Sequence, residues 1–244
     1  MSETSTLIGY SGGTIGRQEL VLVPTPPATE THRPIPHHEI VRALIETLGF
    51  RHIGVVHDEY AVSPDGMKMF GALDLATEME GCRFSIGLRN SHDKSMRLAM
   101  TCGYRVFVCS NMAFSGDFTP VLAKHSKSFS LIDCISVGVD RMQRNFGPLR
   151  KQVETWRGSE LTDVTAKVVI YEAFVEGKLD VTRHLARTVH DLYFEPVYEE
   201  FKPRTIWSLS NAFTSAFKQL DAIPQFKATA KLGEFLEARF SQSF

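Results

Sequence analysis

Apolar and polar residues alternate most regularly between residues 81 and 114, GCRFSIGLRNSHDKSMRLAMTCGYRVFVCSNMAF, and this stretch predicts three short strands. In 83–89, Phe84, Ile86 and Leu88 alternate with Arg83, Ser85, Gly87 and Arg89. One face is thereby suited to a core and the other is flanked by arginines. The pattern repeats in 97–102, where Leu98, Met100 and Cys102 oppose Arg97, Ala99 and Thr101. Gly103 predicts a turn, and the nearly continuous apolar run 105–109 predicts a central strand.

A helix is predicted over 37–48, where Ile40, Val41, Leu44, Ile45 and Leu48 form one stripe between Pro36 and Gly49. Strands follow at 53–62 and 67–75, joined by Ser63-Pro64-Asp65-Gly66, a hairpin turn in which proline sets the entry and glycine accepts positive φ. Residues 115–136, with Gly116, Pro120 and the polar run 122–129, read as a loop. Residues 139–157 read as a helix that Gly147-Pro148 kinks or splits. Four more helices are expected at 162–175, 181–194, 205–220 and 225–240, separated by Gly177, Pro196, Pro203 and Pro224. The expected fold is α+β: an antiparallel sheet with packed helices in the N-terminal half and an all-helical C-terminal region. It divides into an extended Pro/Gly-rich lead (1–36), a mixed core with basic central strands (37–160) and a helical region packed on that core (161–244). Prolines 24, 26, 27, 34 and 36 forbid a helix in the lead, and its glycines lack the Lys-Ser/Thr of a phosphate loop.

Composition narrows the class. The 244 residues are 43% hydrophobic and 23% charged, ordinary for a globular protein, and no apolar run reaches the length of a membrane span. The first residues show no basic segment leading into an apolar one, so a cytoplasmic location without membrane attachment is expected. Cys82, Cys102, Cys109 and Cys134 form no C-x-x-C pair and read as buried reduced thiols. No cofactor is expected.

Charge is unevenly placed. The chain as a whole stands at −1, yet 81–114 holds Arg83, Arg89, Lys94, Arg97 and Arg105 against Asp93, a local net charge of +4, and 141–157 repeats that surplus. Arginines around the small residues Ser85, Gly87, Ala99 and Thr101 would make a shallow basic groove, which suits a phosphodiester backbone. Arg83, Arg89, Lys94, Arg97 and Arg105 are therefore the candidate nucleic-acid contacts, with single-stranded DNA the expected partner. The alternative is that they pair with the chain's 28 acids on a solvated face.

Three polar groups are candidates for chemistry. Asn90-Ser91-His92-Asp93-Lys94-Ser95 joins two predicted strands and holds a general acid/base in His92, a carboxylate in Asp93 and a hydrogen-bonding neighbour across the sheet in Asn111. A polar connection has the same composition for structural reasons. His57-Asp58-Glu59 interrupts a strand, as a metal or acid/base cluster or as a charged bulge on an edge. His37 and His38, about 100° apart on a helix, do not chelate together.

Three motifs in order carry a resemblance. Asn90 to Ser95, then Arg105, Val106, Val108, Cys109 and Asn111, then Trp207, Asn211, Ala212 and Thr214 resemble the family called domain of unknown function 932, found in phage- and plasmid-like proteins. The likeness covers roughly residues 37–220 and implies a mobile-element setting without implying a reaction. A helix, hairpin strands and a long basic helix are also similar in outline to phage single-strand annealing proteins. That similarity implies DNA binding in recombination or replication and a homo-oligomer reached through the proline-rich arm. Two other readings stand beside it: a hydrolase acting on nucleic acid or nucleotide, with His92, Asp93, Asn111 and a divalent metal, or an assembly protein in which Asn90, Asp93 and Asn111 satisfy buried backbone groups.

Overall fold

The structure, a computed structural model, describes residues 14–30, 32–120 and 130–241, and for residues 115–120 and 222–223 the backbone alone. The elements run α1 (Arg17–Leu20), α2 (His37–Phe50), β1 (Val55–Val62), β2 (Lys68–Met79), β3 (Cys82–Ser91), β4 (Ala99–Val106), β5 (Met112–Pro120), α3 (Leu131–Gly158), α4 (Asp163–Phe174), α5 (Leu185–Phe194), α6 (Ile206–Phe217) and α7 (Ala222–Phe240). The protein is α+β, with a five-stranded antiparallel sheet followed by helices. The sheet is a meander in the order β1-β2-β3-β4-β5, and each neighbouring pair is antiparallel. Its first hairpin closes at the predicted turn, where Gly66 adopts φ 70° and Ser63 N–H donates to the Lys68 carbonyl (2.9 Å).

The period of two sorts the strands onto two faces. Leu73, Phe84, Ile86, Leu88, Met100, Cys102 and Tyr104 point to the main core. Helices α2, α3 and α6 pack there: Phe146 of α3 stacks on Phe84 (4.4 Å between centroids) and Trp207 of α6 tilts against Tyr104 (5.5 Å). The α2 stripe Ile40, Val41, Leu44 and Leu48 is buried as its spacing predicts. All twelve residues of α6 except Ser215 are buried, so this helix is the centre of the C-terminal region.

On the second face, α7 runs along β5 and sends Phe226 across the sheet. Phe226 stacks on Phe114 (3.8 Å) and meets Phe70 edge-on (4.0 Å), over a small cluster with Ala61, Ala72 and Met112. The other edge, β1, is met by Ile15, which exchanges two backbone hydrogen bonds with Tyr60 (2.8 and 3.1 Å). The β1 edge is thus paired by another part of the chain, and β5 is packed by α7.

Several local expectations are corrected. Gly103 lies inside β4, where a Cβ would stand 2.1 Å from the Ala113 carbonyl oxygen; the glycine marks a close approach of β5 and not a turn. Residues 112–120 are a strand, because β4 offers an unpaired edge and α7 covers the far side; Pro120 is tolerated as its last residue. α3 runs unbroken through Gly147 and Pro148, both of which face solvent, where water can serve the carbonyl that proline leaves without a donor. Pro224 lies in the first turn of α7, where no intrahelical N–H is required. Residues 1–13 of the glycine-rich start and the polar run 122–129 lie outside the described residues. Among the described residues no helix is long and apolar enough to cross a membrane.

Candidate functional site

Alternation and register place Glu59 of β1, Asp74 of β2, Arg83 and Ser85 of β3, and Arg105 of β4 on the second face, with Asp74 directly opposite Ser85 and Arg83 opposite Arg105. Arg105 bridges two buried carboxylates, at 2.7 Å to Glu59 Oε1 and 2.6 Å to Asp74 Oδ2. Ser85 Oγ donates to the other oxygen of Asp74 (2.6 Å). Two carboxylates buried without a cation would be costly, and the arginine fork compensates both at once.

A cleft of about 410 Å³ opens above this network. Its walls include Thr14, Gly16, His57, Arg83, Phe107 and Ser110. Phe107 sits in the β4–β5 connection, 44% exposed, and the Arg83 guanidinium lies over its ring at 4.9 Å. Arg83 also pairs with Glu78 (2.9 Å). At the β1 side, Asp58 is bonded by Arg17 (2.5 and 3.0 Å) and by the Tyr60 hydroxyl (2.7 Å). Burial disfavours the charged form of Asp58, but these bonds prevail and hold its carboxyl below the ordinary value. Burial, then the bond to Asp58, raises the Tyr60 hydroxyl. The polar trio 57–59 is therefore split: Glu59 joins the Arg105 network, Asp58 turns to Arg17 and Tyr60, and a register shift between Val55 and His57 marks a bulge on an edge strand.

The loop 90–95 is occupied with holding the chain together. His92 is 3% exposed and His37 1% exposed, and their rings stack at 3.9 Å and 9°. His92 Nε2 donates to the Ile35 carbonyl (3.0 Å) and His37 Nε2 to the Gly66 carbonyl (3.1 Å). Asn90 Nδ2 donates to His37 Nδ1 (2.9 Å) and the Ile35 carbonyl (3.3 Å), while His32 Nε2 donates to the His92 carbonyl (2.9 Å). Burial, and then the neighbouring His92, lowers His37 to about 4; burial lowers His92 as well, against the bond to Ile35. Both imidazoles are neutral and enclosed. Asp93 instead accepts from Ser95 N–H (2.9 Å) and faces Lys68 (3.8 Å).

Neither Asn111, the expected neighbour of this loop, nor Asp58 is beside it. Asn111 lies at the opposite end of β3, about 30 Å away by strand rise. Asp58 is opposite Leu73, which is opposite Ile86, about 20 Å from His92 along β3. Among the described residues no three His, Cys, Asp or Glu side chains gather as a metal would require. Asn111 Nδ2 donates to the Asn211 carbonyl (3.0 Å) and side-chain oxygen (3.2 Å), so the second and third sequence motifs meet each other. Lys218 Nζ completes the junction at the Cys109 carbonyl (2.6 Å).

The five basic candidates separate into two groups. Arg83 and Arg105 are at one end of β3; Arg89, Lys94 and Arg97 are at the other, with Arg83 and Arg89 about 20 Å apart. Between them Gly87 lies under Phe226, whose Cζ would stand 2.0 Å from an added Cβ, so no open groove joins the groups. Arg105, bound by two carboxylates, is not a free phosphate contact. Lys94 and Arg97 are exposed and Arg89 is half-buried.

In the second basic stretch three of four exposed basic residues share one side of α3, and Arg150 lies about 100° to 180° around the helix from them. Arg141, Arg144, Arg150 and Lys151 of α3 are exposed, with no acid between 141 and 151. Arg141, Arg144 and Lys151 fall within about 80° of one another around the helix and span about 15 Å along it. Arg144 reaches the Asp140 carbonyl (3.4 Å) and Arg150 the Glu78 carbonyl (3.3 Å), and none of the four has a carboxylate partner among the described residues. The surplus over 141–157 is visible in the sequence, and the 3.6-residue period is the signal that singles out Arg141, Arg144 and Lys151 within it. No local period singles out Phe107 and Asp74, whose roles depend on register.

A family model described as domain of unknown function (DUF932) matches residues 29–231, which is most of the chain. No curated protein and no solved structure matches it.

Proposed function

Because the chain belongs to the DUF932 family, whose description names no activity, we propose its function from the geometry: it binds nucleic acid, with single-stranded DNA as the substrate, through the solvent face of α3. The observation that carries this reading is the stripe of Arg141, Arg144 and Lys151, exposed, without a carboxylate partner among the described residues and held on a rigid helix about 42 Å long. One strand of B-DNA presents a phosphate about every 3.4 Å, so the 15 Å stripe matches four or five phosphates. A chain of net charge −1 has no long-range attraction for DNA, and binding would depend on this local face. Lys94 and Arg97, at the far end of the sheet, would serve as a second contact for a longer strand. A role in recombination or replication on a mobile element is part of the same proposal.

The test is fluorescence anisotropy with labelled single-stranded and duplex DNA across a salt series. Each phosphate contact contributes about −0.7 to the slope of log K against log salt for a single strand. The triple variant R141Q/R144Q/K151Q is expected to reduce the magnitude of that slope by about 2 and to weaken binding to every sequence alike. Binding that is indifferent to salt and to these three charges rejects the reading.

A further inference from the structure

The cleft lies on the sheet face opposite the one that α3 packs against, and it differs from the α3 surface in chemistry. A site for bare phosphate gathers donors and excludes carboxylates. Here the floor holds both, with the Arg105 guanidinium between Glu59 and Asp74. A bare metal ion has no use for an aromatic wall, and an ammonium group, which aromatic rings do bind, would meet carboxylates already paired with Arg17 and Arg105 and a Phe107 ring, 44% exposed, that Arg83 already overlies. A flat ring laid on the outside of the Phe107–Arg83 stack, with donors and acceptors at its edge, fits the aromatic wall and the mixed floor together. The volume of about 410 Å³ is in the range of small-ligand sites.

We infer that this cleft takes an unpaired nucleobase from the strand bound on α3, stacking it against Phe107 and Arg83 and meeting its edge with the Glu59–Arg105–Asp74 network. The inference rests on the nucleic-acid reading above and adds a base subsite to it. The path between the two surfaces passes through Glu78. Arg150 of α3 bonds its carbonyl (3.3 Å), and Arg83 at the cleft bonds its carboxylate (2.9 Å). A strand reaching the cleft from α3 would have to wrap around the helix and turn the end of the sheet at Glu78, where Arg150 and then Arg83 would meet its backbone. Phe107 is displayed there because the β4–β5 connection folds tightly, with Phe107 N–H donating to the Gly81 carbonyl (3.1 Å) and Ser110 at φ 53°.

The experiment compares a labelled single strand with an abasic strand of the same length, against the wild-type protein, F107A and R141Q/R144Q/K151Q. Phe107 is outside both apolar clusters, so F107A is expected to keep the wild-type melting temperature. Loss of one stacked base is expected to cost about 5- to 150-fold in affinity. The wild type should therefore prefer the base-bearing strand by that factor, and F107A should lose the preference while keeping the affinity for abasic DNA and the salt slope. The α3 variant should weaken both strands equally. Equal binding of the two strands by the wild type, or an F107A effect that is the same on both, overturns the base subsite and leaves the α3 reading intact. Failure to bind either strand overturns both.

Discussion

Asn111 and Asn211, a hundred residues apart in sequence, share two hydrogen bonds from one amide group: Asn111 Nδ2 donates to the carbonyl of Asn211 (3.0 Å) and to its side-chain oxygen (3.2 Å). Asn211 in turn donates to the Trp207 carbonyl (3.0 Å), and Thr214 Oγ1 donates back to the Asn211 carbonyl (3.2 Å). The sheet and the helical region are thus joined at the most buried helix of the chain by side-chain amides.

Replacing Asn111 with Leu removes the donor and leaves the buried amide oxygen of Asn211 without it, while the Asn211 carbonyl keeps Thr214. An unsatisfied buried acceptor costs about 1–3 kcal/mol, so the urea midpoint should fall accordingly. A double-mutant cycle of N111L with N211L should show coupling, because the two residues lose one shared interaction. Strict additivity would mean that the contact carries no stability.

Stability should decline in mild acid through His37. Burial holds this ring neutral, with a value of about 4 against the ordinary 6.5. Between those values the unfolded chain binds a proton that the folded chain refuses, so stability rises with pH. The contribution is fully present above 6.5 and is lost as pH falls toward 4; a gap of about 2.5 pH units corresponds to about 3 kcal/mol. His92, lowered by burial, acts in the same direction. Denaturant melts of the wild type from pH 7 to pH 4 should trace this loss. The H37Q variant should flatten the curve, and an unchanged slope would assign the acid sensitivity elsewhere.

Arg105 should be a stability residue whatever the fate of the cleft. R105M leaves Glu59 and Asp74 buried without their cation, a loss of about 3–5 kcal/mol in chemical denaturation. The triple variant E59Q/D74N/R105M removes the charges together and should recover most of it, since what costs is the unmatched charge and not the absence of an ion pair. If R105M melts like the wild type, the network is not closed as described.

Much of this architecture is legible in local patterns. The α2 stripe follows from a 3.6-residue period, the first hairpin from Pro-Asp-Gly, and the two faces of β3 from strict alternation. Gly103 and the strand 112–120 were not legible, for a common reason. Each is explained by what lies beside it, the Ala113 carbonyl in one case and β4 and α7 in the other. The loop 90–95 shows the same limit. Its residue types suit catalysis, but the proline-rich segment that ends at His37 crosses over it and uses His92 and Asn90 as hydrogen-bond partners.

By itself, the sequence determined which residues could share a strand or helix face, because backbone periods are local and side-chain direction follows from them. That was enough for the α+β class, the first hairpin and the two basic surpluses. Only the tertiary structure decided which polar side chains meet. Arg83 and Arg89 share a face yet are separated by Phe226 at Gly87, whereas Glu59, Asp74 and Arg105 converge from three strands. Register, edge coverage and the burial of charge are long-range outcomes, set by packing between segments that no local period connects.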